Sequence, residues 1–117
     1  MKVLLVDDDE KWLLIAENMI TGVAQRVFTT QSMKDTLERI RQPNHFDVVV
    51  LDLRLIDSPP RATIEAIPEI LKSGRRVVIA SGYVDEELRA LAKSKGAADC
   101  LNKASMNFAQ ELRACLA

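Results

Sequence analysis

Short apolar runs alternate along this chain with longer segments in which apolar residues recur every three or four positions. The runs predict β-strands near residues 2–6, 25–29, 46–51, 76–80 and 98–101, and the longer segments predict helices near 10–21, 31–42, 61–73, 84–95 and 105–116. Such alternation is typical of βαβ units and a largely parallel sheet. Runs 48–51 and 77–80 are apolar on successive residues, as expected for central strands covered on both faces.

Most of the predicted helices carry boundary signals of their own. Asp9, Ser32 and Asp85 are placed to act as N-caps, and Gly22 and Gly96 are placed to end helices. The third helix is the weakest, because prolines precede it and Pro68 would interrupt its interior, so we expect it to start late or to be kinked. The expected inward faces are Trp12, Ile15, Ala16, Met19 and Ile20; Met33, Leu37 and Ile40; Leu88, Leu91 and Ala92; and Phe108, Leu112 and Cys115 or Leu116.

Length and composition narrow the class of protein. The 117 residues fit one domain, residues 1–117, and 48% hydrophobic with 28% charged residues is ordinary for a soluble globular protein. A net charge of −1 predicts no direct binding to nucleic acid or to anionic membranes. The sequence shows no membrane span and no signal-peptide core. Cys100 and Cys115 are interpreted as reduced thiols with a packing role in a cytoplasmic protein.

Polar residues follow several of the predicted strands. Asp7 and Asp8 follow the first run, Asp52 the third, Ser81 the fourth, and Lys103 the short apolar pair 100–101. Parallel strands deliver their C-terminal ends to one edge of the sheet, where open α/β folds place ligands. Each feature alone is more often a helix cap, a turn or an exposed lysine. Their conjunction in one order favours a shared pocket of three acids, a hydroxyl and a cation.

That combination of side chains suggests a phosphoryl-accepting site. Two carboxylates about 4 Å apart repel by about 4 kcal/mol at an effective dielectric near 20, so a proton or a cation must join them. Oxygen ligands in a small pocket favour Mg2+. Asp52 is the natural nucleophile, because a carboxylate can form an acyl phosphate. Lys103, the Ser81 hydroxyl and the Gly82 backbone N–H are placed to contact phosphoryl oxygens.

Four stretches of the chain carry a family resemblance: VLLVDDD (3–9), VVVLDLRL (48–55), VVIASGY (77–83) and GAADCLNKAS (96–105). Together they resemble the receiver domain of two-component response regulators, the CheY-like superfamily, and the resemblance covers essentially the whole chain. The resemblance implies a doubly wound, flavodoxin-like α/β fold: five parallel strands in order 2-1-3-4-5, flanked by five helices. It implies Asp52 as phosphoacceptor and the metal set Asp7, Asp8, Asp52 and the Arg54 carbonyl, with Asp8 a direct ligand and Asp7 acting largely through water. Ser81 and Lys103 take the catalytic hydroxyl and cation roles, and Leu53 and Gly82 are the expected cofactor-binding residues.

Three departures from the family pattern concern signalling. Cys100 stands where receivers usually have an aromatic residue whose rotamer reports phosphorylation. Ala104 replaces the usual proline after the lysine, and because a cis bond before a non-proline residue costs about 2.5–4 kcal/mol, a trans bond is expected. Ile56 and the segment 58–60 replace the usual proline and glycine after the phosphoacceptor.

The expected function is a phosphorylation-activated switch in a phosphorelay. Its expected partners are a sensor histidine kinase or histidine phosphotransfer protein and a downstream protein that docks on residues 84–116; a homodimer is also conceivable by analogy with the family. Arg54 and Tyr83 would flank the attacking water and slow autodephosphorylation. Trp12 is expected to pack near the acidic pocket. Two alternatives stay open: a phosphorylation-independent interaction module, and a haloacid-dehalogenase-type phosphatase using residues 7–9, although no cap domain fits in the chain.

Overall fold

The computed structural model describes residues 1–42, 46–82 and 84–116. Five strands form one parallel sheet in the order β2-β1-β3-β4-β5: β1 Lys2–Val6, β2 Arg26–Thr30, β3 Val48–Leu51, β4 Arg76–Ser81 and β5 Asp99–Asn102. The described residues also contain six helices: α1 Glu10–Met19, α2 Met33–Arg41, α3 Pro60–Glu65, α4 Ile67–Lys72, α5 Glu86–Ser94 and α6 Phe108–Leu116. The predicted doubly wound, flavodoxin-like fold and its strand order are confirmed.

Alternate residues of the central strands enter opposite sides of a double-layered core. Val3 and Leu5 of β1 belong to the cluster formed with α1 and α6, whereas Leu4 and Val6 belong to the cluster formed with α2 to α5. Every residue of β3 is fully buried. Side chains of successive strand residues point to opposite faces, so a strand covered on both faces must be apolar throughout. The core therefore explains the continuous apolar runs and leaves polar residues for the strand ends.

The third expected helix is divided into α3 and α4, which meet at Ala66. Pro60 begins α3, and Pro68 lies in the first turn of α4, where its missing N–H needs no intrahelical partner. The predicted interruption at Pro68 is confirmed, and it raises the number of helices from the expected five to six.

The buried stripe of α1 differs from the prediction. Leu13, Ala16 and Ile20 are buried, whereas Ile15 is 52% exposed and the expectation that it faces inward is wrong. Trp12 and Met19 lie at the border of the stripe and are partly buried. Two overlapping stripes fit the same helical spacing, and only the packing of α1 on the sheet chooses between them.

The helix caps follow the prediction at Asp9, Ser32 and Asp85, each of which accepts backbone N–H groups through its side chain. Gly96 follows α5 with a φ of +107°, and a Cβ there would collide with Leu71. The last helix begins three residues later than predicted, at Phe108. No helix among the described residues is long and apolar enough to cross a membrane.

Candidate functional site

A cavity of about 350 Å3 opens at the C-terminal edge of the sheet. All of the predicted site residues line it: Asp7, Asp8, Asp52, Leu53, Arg54, Ser81, Gly82 and Lys103. Asp9, Pro60 and Leu88 complete the lining. The sequence pattern did not single out Pro60 or Leu88 for this site, because both reach it from helices on one face of the sheet.

The strand register positions the polar residues at one level. Val6 of β1 pairs with Leu51 of β3, and the Asp52 N–H donates to the Val6 carbonyl at 3.0 Å, so Asp7 and Asp52 both follow paired residues. On the other side, Ser81 ends β4 and its carbonyl accepts the Lys103 N–H at 2.9 Å. Parallel pairing thus converts positions far apart in the chain into neighbours around the cavity.

The three acids form a close cluster of unequal burial. Carboxylate oxygens of Asp7, Asp8 and Asp52 lie within 4.8 Å of one another. Asp7 is 1% exposed and Asp52 is 8% exposed, while Asp8 faces solvent. Three oxygen donors converging in this way fit a hard divalent cation such as Mg2+, because they offer both the preferred ligand atom and compensating charge. The three converging carboxylates therefore fit the expected Mg2+.

Lys103 lies between two of these acids. Its Nζ forms an ion pair with Asp7 and lies 3.6 Å from Asp52 Oδ2. Asp7 also accepts the Asp9 N–H through Oδ1 at 2.8 Å, so both of its oxygens are engaged within the protein. The ammonium group therefore neutralises part of the acidic cluster.

Burial makes Asp52 an unusual carboxyl group. Its removal from water raises its pKa to about 6, and the nearby Asp7 and Asp8 charges act in the same direction. Lys103 and a backbone hydrogen bond from Arg54 oppose this rise. The ionised carboxylate is consequently held at a site that disfavours its charge, which makes it receptive to a cation or to a covalent bond that removes the charge.

The remaining cavity residues contribute in different ways. Ser81 is 5% exposed, with its position set by the end of β4. Leu53 is buried in the core, whereas the Arg54 side chain is exposed at the rim. A Cβ placed on Gly82 would meet no protein atom within 4 Å, so packing does not require glycine there. The space in front of Gly82 is open to the cavity.

The loop after Asp52 is tied to α2 by a contact that the sequence did not reveal. Asp57 accepts the N–H groups of Met33 and Lys34 at 2.8 and 3.0 Å, and Leu55 and Ser58 pair through backbone hydrogen bonds of 3.0 and 3.2 Å. These backbone donors hold the pKa of Asp57 below its ordinary value, although its small burial opposes them. The carboxylate thus supplements the cap of α2 from outside the helix.

The structure also shows the surroundings of the residues near β5 at which the chain departs from the family pattern. The Cys100 side chain is 1% exposed, and its backbone carbonyl accepts Arg89 Nη1 at 2.8 Å. Burial raises the pKa of Cys100, and burial together with Asp99 raises the pKa of Cys115 to about 11, so both free thiols stay protonated at neutral pH. No cis peptide bond occurs within the ranges that the structure describes, Lys103–Ala104 included. Tyr83 lies outside those ranges.

Comparison with known proteins gives a consistent match. Residues 3–115 match the family of response regulator receiver domains. Two-component response regulator ARR12 of Arabidopsis thaliana is 31% identical over 104 residues, 88% of this chain and 17% of that protein. The BeF3-activated DrrB receiver domain superposes with a TM-score of 0.81 at 26% identity, over 97% of this chain and 92% of that chain.

A third similar protein is a response regulator from Burkholderia pseudomallei, solved with a phosphorylated aspartic acid, a calcium ion and citrate. It has a TM-score of 0.83 at 18% identity, over 99% of this chain and 66% of that chain, a likeness that establishes the fold. The chain spans 17% of the length of ARR12 and 18% of the length of a second similar Arabidopsis thaliana protein, two-component response regulator ARR10.

Proposed function

Because the chain belongs to the family of response regulator receiver domains, a family of signalling domains of two-component systems, we propose that Asp52 accepts a phosphoryl group and thereby switches the affinity of the chain for a protein partner. The donor is a phosphohistidine of a sensor kinase or histidine phosphotransfer protein, or a small acyl phosphate. The observation that carries this proposal is the convergence of three carboxylates within 4.8 Å, with Lys103 and Ser81, in one cavity.

The chemistry assigns a distinct task to each side chain. An Asp52 carboxylate oxygen attacks phosphorus, the P–N or P–O bond to the donor breaks, and the leaving group departs with the bonding electrons. Lys103, 3.6 Å from Asp52 Oδ2, is close enough to neutralise a phosphoryl oxygen after attachment. We propose that the Ser81 hydroxyl and the Gly82 N–H donate to the other oxygens.

Asp7, Asp8, Asp52 and the Arg54 carbonyl are the residues that would hold Mg2+. When bound, Mg2+ supplies positive charge to the transferring phosphoryl oxygens. Lys103 pairs with Asp7, so the ion pair and the metal would share one carboxylate. Because the three clustered carboxylates would repel the incoming phosphoryl oxygens, we expect phosphorylation to depend on the charge of Mg2+.

We place the output surface on residues 84–116. A groove of about 540 Å3 runs between α5 and α6 along β5, and its lining includes Arg89, Cys100 and Cys115. Because Cys100 cannot act as an aromatic rotamer switch, we propose that the hydrogen bond from Arg89 to the Cys100 carbonyl, one of the contacts between α5 and β5, responds to phosphorylation instead. A downstream protein, or a second copy of the chain, docks there in the cytoplasm.

The alternative is a receiver-like module that binds its partner without phosphorylation, and Cys100 with Ala104 is the observation that favours it. Family membership accounts for the acidic motif of residues 7–9 without a phosphatase reaction.

Intact-mass spectrometry after incubation with acetyl phosphate tests the proposal. Wild type is expected to gain one phosphoryl group only with Mg2+, and Asp52→Asn is expected to gain none. Asp35→Asn, which removes an exposed carboxylate of α2, is the matched control and should behave as wild type. A folded wild-type protein without an adduct would instead support the phosphorylation-independent module.

The lifetime of the adduct tests the expected role of Arg54 at the cavity rim. We propose that Arg54, together with Tyr83, hinders the attacking water, so that the phosphorylated form decays slowly. The Arg54→Ala, Tyr83→Ala double variant should lose the phosphoryl group faster than wild type. Equal decay rates would remove this part of the proposal.

A further inference from the structure

Trp12 contacts Lys103, one of the residues that line the cavity, without itself lining the cavity. Its ring centroid lies 4.0 Å from Lys103 Nζ, which is within the range of a close cation–π contact. The ring also packs at 6.1 Å and 56° against Phe108 of α6. The indole therefore bridges the helix that follows the acidic pair and the helix that follows Lys103.

We propose that Trp12 is a positioning residue for Lys103, with the indole face holding the ammonium group at the cavity beside Asp52. The inference rests on the proposed phosphoryl transfer and deepens it. It concerns Lys103 and a side chain that is not among the residues lining the cavity.

Lys103 needs such a support because its other contacts are with carboxylates. A lysine is a point charge on a flexible four-carbon chain, without the rigid geometry of arginine. Its partners Asp7 and Asp52 are also expected to bind the metal and the phosphoryl group, so the ammonium must exchange a carboxylate partner for a phosphoryl oxygen during the reaction. The face of Trp12 is uncharged and does not compete for the metal. The indole can therefore contact the Lys103 ammonium group throughout the reaction.

The indole is itself well placed for this task. The backbone N–H of Trp12 donates to Asp9 Oδ1 at 3.3 Å in the first turn of α1, which anchors the backbone that carries the ring. Packing against Phe108 supports the edge of the ring. A purely structural Trp12 would need these contacts but would not need Lys103 over its face, so the two roles can be separated by experiment.

A double-mutant cycle on the phosphorylation rate separates them. Trp12→Leu keeps an apolar side chain without a π face and should lower the rate with acetyl phosphate roughly 3- to 10-fold, while Trp12→Phe should recover most of it. In a Lys103→Met background, Trp12→Leu should have no further effect, because its role is exercised through Lys103. An equal loss in both backgrounds, with unchanged unfolding midpoints, would show an independent role and overturn the proposal.

Fluorescence tests the contact without any phosphorylation. Trp12 is the single tryptophan of the chain, so its emission reports one environment. In metal-free protein, Lys103→Met should change that emission, and Lys72→Met, an exposed lysine of α4 across the sheet, should not. Identical spectra for wild type and Lys103→Met would refute the contact. If wild type accepts no phosphoryl group, the proposed function fails, and this comparison still decides whether the indole holds the lysine.

Discussion

Replacing Asp52 with Asn should stabilise the metal-free protein at neutral pH, although it removes the group on which the proposed function depends. In the folded protein, burial raises the pKa of Asp52 from its ordinary value of 3.8 to about 6. The folded state then binds this proton more tightly than the unfolded chain does. Stability is therefore lost as the pH rises through the window from 3.8 to about 6, and the full penalty is present above it.

The magnitude follows from the same two values. A difference of one pKa unit corresponds to about 1.36 kcal/mol, so the interval from 3.8 to about 6 sets an upper limit of about 3 kcal/mol. The Asp52 side chain is only 10% exposed, so solvent screens little of this effect. Because an asparagine amide reproduces the hydrogen bonds of the acid imperfectly, we expect a gain of about 2 kcal/mol at pH 8 and almost none at pH 4.

Urea unfolding of wild type and Asp52→Asn, with EDTA present, measures this difference from pH 4 to pH 8. Added Mg2+ should reduce the gain, because metal binding stabilises the wild type selectively. Asp35→Asn serves as the control, since its carboxylate is exposed. A variant that is less stable than wild type at pH 8, or a difference that does not vary with pH, would refute the reasoning.

Other contacts lead to equally direct measurements. Arg75→Met should lower the free energy of unfolding in urea by about 2–4 kcal/mol, because the buried guanidinium donates to two backbone carbonyls; exposed Arg76→Met should change it much less. Asp57→Ala should lower the free energy of unfolding by about 1 kcal/mol at pH 7, because the helix cap is lost. Since the pKa of Asp57 is lowered in the folded protein, this difference should fade as the pH drops through that pKa. A difference in urea unfolding that stays constant with pH would contradict this expectation. Gly82→Ala should leave the unfolding midpoint unchanged but slow phosphorylation measured by mass spectrometry, because its Cβ enters open space in the cavity. Normal phosphorylation would show that the phosphoryl group does not occupy the space in front of Gly82.

Several features of the site were accessible from local sequence pattern. The apolar runs that became β1, β3 and β4 end at Val6, Leu51 and Ser81, so the polar residues at or just after those ends meet at one sheet edge. This inference needs no knowledge of side-chain packing, because parallel strands always present their carboxyl ends together. The helix caps and the break at Pro68 were predictable for the same reason: each depends on a few adjacent residues.

Arg75 makes contacts that the local sequence pattern does not predict. In the sequence it stands beside Arg76 in a short basic cluster of the kind usually exposed to solvent, yet Arg75 is 7% exposed and packs its guanidinium 4.5 Å from the centre of the Phe46 ring. Asp57 likewise reaches α2 across 24 positions of the chain. Nothing in the neighbouring residues indicates either contact, because each partner is supplied by a different element.

The sequence by itself determined the class of fold, the edge at which the site forms and the identity of its polar residues. Burial periodicity and strand ends are local properties, because each can be recognised from consecutive residues. Only the tertiary structure decided that Asp7 is the buried partner of Lys103, that Leu13 rather than Ile15 faces the core, and that Trp12 lies against the lysine. These outcomes depend on the angle and depth at which the helices pack on the sheet. That packing is determined jointly by the shapes of side chains from distant segments of the chain.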